Sequence, residues 1–257
     1  MKLSYLERAA KSRHPQTKRL FELMETKRTN LGVVLDVGNA EELLDLAHLL
    51  GPEVCLIKTH IDILNDFRYD TMLELKRLSV EHKFLIFEDR KFADSGFIAA
   101  KQYAEGIYRI AEWADVINAH ILTGSGIIEA LAAVGQSKGK GLLLLSEMNI
   151  CGNSFSEIYA ATAVRFAIQY SDFVMGFISG RKISFDDTMV YMTPGVHMDP
   201  DGDNQDQTYR TPEEVIASSG SDVILVGRDI YANRDPLEQA HIYKETSYSI
   251  YAQGIVK

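Results

Sequence analysis

Apolar residues gather along the chain in eight short runs, at 31–36, 54–58, 84–88, 115–119, 141–146, 172–178, 189–193 and 222–227. The runs do not alternate with polar residues, which is the pattern of strands buried on both faces. Segments of helical period separate most of them, at 41–50, 67–81, 96–112, 124–134, 155–169 and 212–219, and 236–252 closes the series. Eight strands about thirty residues apart, alternating with helices, predict a (β/α)8 TIM barrel of the α/β class. An open doubly wound sheet is the rival, but it usually needs fewer strands, and no Gly-x-Gly-x-x-Gly follows the first run. The stretch 178–189 is too short and polar for a full helix, and 3–27 reads as an extra N-terminal helix capping the barrel. No Pro/Gly/Ser-rich linker or repeat interrupts the series, so one domain is expected over 1–257.

Composition changes this picture little. The chain is 46% hydrophobic and 25% charged, with 27 Lys+Arg against 36 Asp+Glu, a net charge of −9. Without a basic run there is no electrostatic footprint for nucleic acid. No stretch approaches the ~18 consecutive apolar residues of a membrane span, and the polar start lacks a signal-peptide core. Cys55 and Cys151 have no metal-ligand spacing and read as small buried residues, which predicts a reducing, cytoplasmic setting.

In a barrel the chemistry sits at the C-terminal ends of the strands. Read there, the chain offers Asp36, Lys58-Thr59-His60, Glu88-Asp89-Arg90-Lys91, Asn118-Ala119-His120, Glu147-Met148-Asn149, Pro194-Gly195-Val196 and Gly227-Arg228. The Pro-Gly and Gly-Arg pairs end strands seven and eight, where this fold usually binds phosphate. Glycine lets backbone N–H groups approach the oxygens, and Arg228 offers a bidentate fork.

The densest cluster leaves strand three. In extended chain Asp89 and Lys91 point to one face, Asp94 follows near a turn or helix start, and Lys58 ends the neighbouring strand. Lysines and aspartates in alternation would keep one another ionised. On charge pattern alone this is equally a salt-bridge network tying strand ends together. His60 and His120 lack partners at metal-ligand spacing and read as structural or supporting groups. The acidic stretch 199–210 lacks glycine at the sixth position of a calcium loop and carries Arg210 at the twelfth.

Asp89-x-Lys91-x-x-Asp94, after Lys58-Thr59-His60-x-Asp62, resembles the orotidine 5′-monophosphate decarboxylase family. The resemblance runs over nearly the whole chain. It takes in Leu-Gly-Pro-Glu-Val-Cys-Leu-Ile-Lys-Thr-His at 50–60, Phe-Glu-Asp-Arg-Lys-Phe-Ala-Asp at 87–94 and Gly-Phe-Ile-Ser-Gly at 176–180. Thr-Pro-Gly-Val at 193–196, Gly-Asp-Asn at 202–204 and Val-Gly-Arg at 226–228 complete it, and its texture is that of the decarboxylase domain of eukaryotic uridylate synthase. The resemblance implies a Lys-Asp-Lys-Asp array at Lys58, Asp89, Lys91 and Asp94, with Lys91 delivering a proton to C6 of the pyrimidine as carboxylate leaves. Asp89 would lie beside that carboxylate, and Lys58 would order the array and touch the ribose. Asp36 matches the ribose-binding aspartate, and Gln207, Tyr209 and Arg228 match the phosphate-gripping side chains. It further implies a homodimer, Asp94 reaching into the partner's site, and chemistry without metal or organic cofactor.

The chain departs from the family pattern in places. Ser95-Gly96-Phe97-Ile98 stands where a β-branched residue, Gly, Asn and Thr are usual, and Ile98 cannot make the threonine's hydrogen bond. Asn149 stands for the base-reading serine and Val34 for a serine before the aspartate. Bond breaking and phosphate binding are spared, whereas base and ribose recognition are altered. A decarboxylase or lyase for another nucleotide or a sugar phosphate, and a catalytically silent nucleotide-binding barrel, are the alternatives. Chelator sensitivity and a null decarboxylation assay beside nucleotide binding would respectively reveal them.

Overall fold

All eight predicted strands form, and they close into a parallel barrel in sequence order: β1 (Leu31–Val34), β2 (Leu56–Thr59), β3 (Leu85–Phe92), β4 (Val116–Ala119), β5 (Gly141–Leu145), β6 (Val174–Ile178), β7 (Val190–Pro194) and β8 (Val223–Val226), with β1 pairing both β2 and β8. This computed structural model describes residues 3–148, 154–199 and 209–256. Asn149, Cys151, Gln207 and the Gly-Asp-Asn motif at 202–204 lie outside the described residues. The short unbroken apolar runs are explained by the packing: β1, β2, β4, β5, β6 and β8 are buried at every position, filling the barrel on one face and lying under helices on the other. At Gly176 a Cβ would lie 1.9 Å from the Val190 carbonyl oxygen, so β6 can approach β7 there only as glycine.

The outer layer comprises α3 (Ala40–Leu50), α4 (Tyr69–His82), α5 (Gly96–Ala104), α6 (Ile110–Trp113), α7 (Gly126–Gly135), α8 (Glu157–Gln169), α9 (Arg228–Tyr231) and α10 (Pro236–Val256), preceded by α1 (Tyr5–Lys11) and α2 (Pro15–Lys27). Three expectations are corrected. The single N-terminal helix is two, because Pro15 starts α2 and forces His14 into extended backbone, where its ring accepts the Thr17 N–H as a cap. The helix expected over 96–112 also breaks, since Glu105 leaves helical geometry and Arg109 is left-handed at φ 44°. The segment 212–219 is helical over 212–218 as expected, but it takes wide π geometry at Glu214–Ser218 in place of a regular α-helix. The stretch 178–189 carries no helix, as expected.

α1 and α2 seal the N-terminal end of the barrel. Arg8, 6% exposed, pairs with buried Asp222 and stacks over Phe21, while its guanidinium also donates to the Asp187 and Met189 carbonyls. A buried pair of this kind is tolerable because its donors and oxygens are otherwise satisfied; Asp222 accepts the Tyr191 N–H as well. Among the described residues no helix is long and apolar enough to cross a membrane. Cys55 is buried, as read from the sequence, and Trp113 and Phe166 are core residues too.

Candidate active site

Strand β3 runs four residues beyond its expected end, and the extension is irregular. Glu88 pairs with Ile117 and Phe92 with Ala119, so four steps along β3 match two along β4. The extra residues form a bulge that carries Asp89, Arg90 and Lys91, with Lys91 in the left-handed region at φ 50°. That conformation costs a non-glycine residue about 1–3 kcal/mol and persists only where its surroundings enforce it. Asn118 at the end of β4 does so: its Oδ1 accepts the Lys91 backbone N–H at 2.7 Å and its Nδ2 donates to Asp89 Oδ1 at 2.6 Å.

The bulge turns three charged groups toward one another. Lys58 Nζ lies 2.7 Å from Asp89 Oδ2, and Lys91 Nζ lies 2.7 Å from Asp89 Oδ1. His60, two residues after Lys58, reaches Asp36 Oδ1 through Nδ1 at 2.6 Å and Asp89 Oδ2 through Nε2 at 3.1 Å. Burial pushes the Asp89 carboxyl up, but Lys58, His60 and Lys91 outweigh it and hold the group well below the usual carboxylate range. Asp36 is likewise held low, against its own burial, by His60 and Lys58. Burial alone would lower the His60 imidazole; its bonds to Asp36 and Asp89 raise it instead. The cluster is thus an ion-pair network between strand ends. Strands can be tied together without backbone strain, however, and this network lines a cavity.

That cavity, about 580 Å³, opens at the C-terminal end of the barrel. Asp36, Lys58, Asp89 and Lys91 line it, as do Pro194, Gly195, Tyr209, Gly227 and Arg228 from the loops after β7 and β8. Gly195 adopts φ 74°, a conformation costly for other residues, and Arg228 Nη2 donates to the Tyr209 hydroxyl at 2.8 Å. Val34, Leu145, Met148, Ile178 and Leu225 add apolar walls. A cavity with cationic and carboxylate groups from β1–β3 and a Gly-Arg anion grip from β7–β8 suits a polar ring joined to a phosphate.

Asp94 stands apart from the array. Its carboxylate accepts the Ser95 N–H at 2.6 Å, and among the described residues it pairs with neither Lys58 nor Lys91. Around it Phe97 (69% exposed), Ile98 and Leu122 (71%) present apolar side chains to solvent.

His197, Asp229 and Tyr231 carry no motif signal and are absent from the sequence reading. Asn118 and Glu88 stand in the strand-end runs without an assigned role, and His60, read as a supporting group, is one: it shares the Lys58 face at strand spacing and bridges Asp36 and Asp89. Glu88 is the least expected: fully buried, it accepts the Thr59 hydroxyl at 2.7 Å and the Ile61 N–H at 3.1 Å, fixing the turn that presents His60. Burial raises its pKa from 4.5 to about 7, with Thr59 and Ile61 opposing. Below pH 4.5 the carboxyl is protonated in folded and unfolded chains alike. Between 4.5 and about 7 the unfolded chain releases the proton and the folded chain keeps it, so stability falls with rising pH, by about 3 kcal/mol in all. Glu88→Gln is expected to flatten that decline in urea-unfolding free energies measured across the window. An unchanged slope would show that another group sets it.

His120 packs at 5.9 Å against Phe155 and reaches the Tyr159 hydroxyl at 3.5 Å. Among the described residues no cluster of three His, Cys, Asp or Glu side chains could hold a metal ion.

Residues 29–243 match the model of the orotidine 5′-phosphate decarboxylase / HUMPS family. The chain is 48% identical to the orotidine 5′-phosphate decarboxylase of Rhizomucor pusillus over 99% of its own length and 98% of that protein. It is 46% identical to the uridine 5′-monophosphate synthase of Bos taurus, over 93% of this chain and half of the bovine one. The crystal structure of orotidine 5′-monophosphate decarboxylase from Methanocaldococcus jannaschii shares the fold, with a TM-score of 0.66 at 21% identity, covering 84% of this chain and 98% of that one.

Proposed function

The chain belongs to the orotidine 5′-phosphate decarboxylase / HUMPS family, and on that premise we propose that it decarboxylates orotidine 5′-monophosphate to uridine 5′-monophosphate in pyrimidine synthesis. The observation that carries the proposal is the strained bulge aiming Lys91 and Asp89 into a cavity that Arg228 also lines. In the reaction the C6–carboxylate bond breaks, CO2 departs, and the electron pair stays on C6. The pyrimidine has no good sink for that pair. Lys91, fixed 2.7 Å from Asp89 on a bulge that Asn118 braces, stabilises the developing charge and then transfers a proton from Nζ to C6. Asp89 sits beside the departing carboxylate, and Lys58 and His60 hold it in place. Asp36 takes a ribose hydroxyl, while Tyr209 and Arg228 grip the phosphate. The phosphate is remote from the broken bond, so its binding energy serves to position the ring against the array.

Asp94 completes the array in a second subunit. That it forms no ion pair with Lys58 or Lys91 of its own chain, and that apolar Phe97, Ile98 and Leu122 lie beside it, support a homodimer with shared sites. The test is direct: purified protein should discharge the absorbance of orotidine 5′-monophosphate, in EDTA as fast as without it. Loss of activity in chelator, restored by Mg²⁺, would favour a sugar-phosphate lyase instead. Binding of uridine 5′-monophosphate without turnover would make the chain a silent nucleotide-binding barrel.

A further inference from the structure

Directly after Arg228, on the first turn of α9, Asp229 places a carboxylate in the wall of the same cavity. Negative charge beside an anion grip weakens it unless that charge is engaged elsewhere, and here it is. His197 Nε2 lies 3.4 Å from Asp229 Oδ1, the buried Tyr243 hydroxyl donates to Oδ2, and Gln239 Nε2 lies 3.3 Å from Oδ2. The tautomer of His197 follows from its other nitrogen. Nδ1 accepts the Asp199 backbone N–H at 3.1 Å, so the ring proton sits on Nε2, facing Asp229. The Tyr243 hydroxyl accepts the Met198 N–H at 2.9 Å.

These bonds draw three successive residues after β7, His197 to Asp199, toward a carboxylate on α9 and a tyrosine on α10. The His197 ring in turn meets Tyr209 edge-on, with centroids 5.6 Å apart, and Tyr209 accepts from Arg228. A closed circuit results: Arg228 and Asp229 are adjacent in the chain, Arg228 holds Tyr209, Tyr209 packs on His197, and His197 Nε2 faces Asp229 at 3.4 Å. The backbone braces it, since the His197 N–H donates to the Arg210 carbonyl at 3.0 Å and the Arg210 N–H to the Gly195 carbonyl at 3.1 Å.

We propose that Asp229 is a positioning residue for the anion grip, which through His197 sets the wall against which Tyr209 meets Arg228. The proposal deepens the function given above, taking its phosphate site as the premise, but it can be tested without turnover. The measurement is calorimetric binding of inorganic phosphate to the intact chain. Asp229→Ala is expected to weaken phosphate binding roughly ten- to hundredfold, the range for lost hydrogen bonds to a charged acceptor. Asp229→Asn, which keeps an oxygen for the His197 N–H, should recover most of that loss. His197→Phe keeps a ring against Tyr209 but removes the donor; it should reproduce the alanine effect, and combined with Asp229→Ala should add little to it. Melting curves identify any variant that fails to fold, and His197→Phe then carries the test. Tighter or unchanged phosphate binding in Asp229→Ala and His197→Phe would overturn the proposal, as would absence of phosphate binding in the wild type. Phosphate binding that responds as expected, in a protein inert toward orotidine 5′-monophosphate, would leave the role of Asp229 standing and remove the decarboxylase assignment.

Discussion

Lys91→Ala is expected to lower kcat by on the order of 10⁵-fold while uridine 5′-monophosphate binds within about tenfold of wild type. The two expectations separate because the product lacks the charge that Lys91 serves. Under the proposed function product affinity rests on Arg228, Tyr209 and Asp36, which the substitution leaves in place. The rate depends on a cation beside C6 as the bond breaks and on the proton that follows, and alanine supplies neither. Asp89 would remain paired with Lys58 and His60, so the truncation leaves no orphaned buried carboxylate to collapse the site. Turnover by absorbance and product binding by calorimetry, on one preparation, make the comparison. A kcat within tenfold of wild type would remove Lys91 from the chemistry, and a matching loss in product affinity would make it a binding residue.

How much of this was legible in the sequence differs between scaffold and site. Strands were readable because burial on both faces leaves mostly apolar residues in each run, a local signal that survives without knowing the neighbours. Helix ends were less so. The break within 96–112 turns on backbone geometry at Glu105 and Arg109, which a periodicity count does not register. At the site, Asp89 and Lys91 were expected to share a face because alternate strand residues do. They do come together, but on a bulge, and its cause is the mismatch of register with β4 and the side chain of Asn118, 27 residues beyond Lys91. Such a cause is tertiary and leaves no local trace. Glu88 was hidden for a related reason: beside Asp89 it reads as one more rim charge, whereas β3 turns it inward against Thr59 and Ile61. The circuit through His197 and Asp229 joins two loops and a helix, so neither residue carries a signal by itself.

Asp94 provides the sharpest test of how the array is completed. Among the described residues the alternation stops at Lys58–Asp89–Lys91, and the second aspartate turns to its own helix start, where it accepts the Ser95 N–H. If the missing carboxylate comes from a partner, Lys91→Ala and Asp94→Asn are each inactive for different reasons, one lacking the acid and the other the neighbouring subunit's contribution. Mixed in equal amounts and allowed to exchange, they form hybrids in which one site carries both defects and the other carries neither. Random pairing makes half of the dimers hybrids, each with one intact site, so activity should rise from near zero to about a quarter of the wild-type rate per site. The apolar Phe97, Ile98 and Leu122 around Asp94 would be covered in that assembly, so Leu122→Lys should weaken the dimer and lower recovery at low protein concentration. Native mass spectrometry with one variant isotopically labelled establishes exchange, and the absorbance assay reads the recovery. Exchanged hybrids that stay inactive would mean that each site is completed within its own chain, through a movement that brings Asp94 to Lys91.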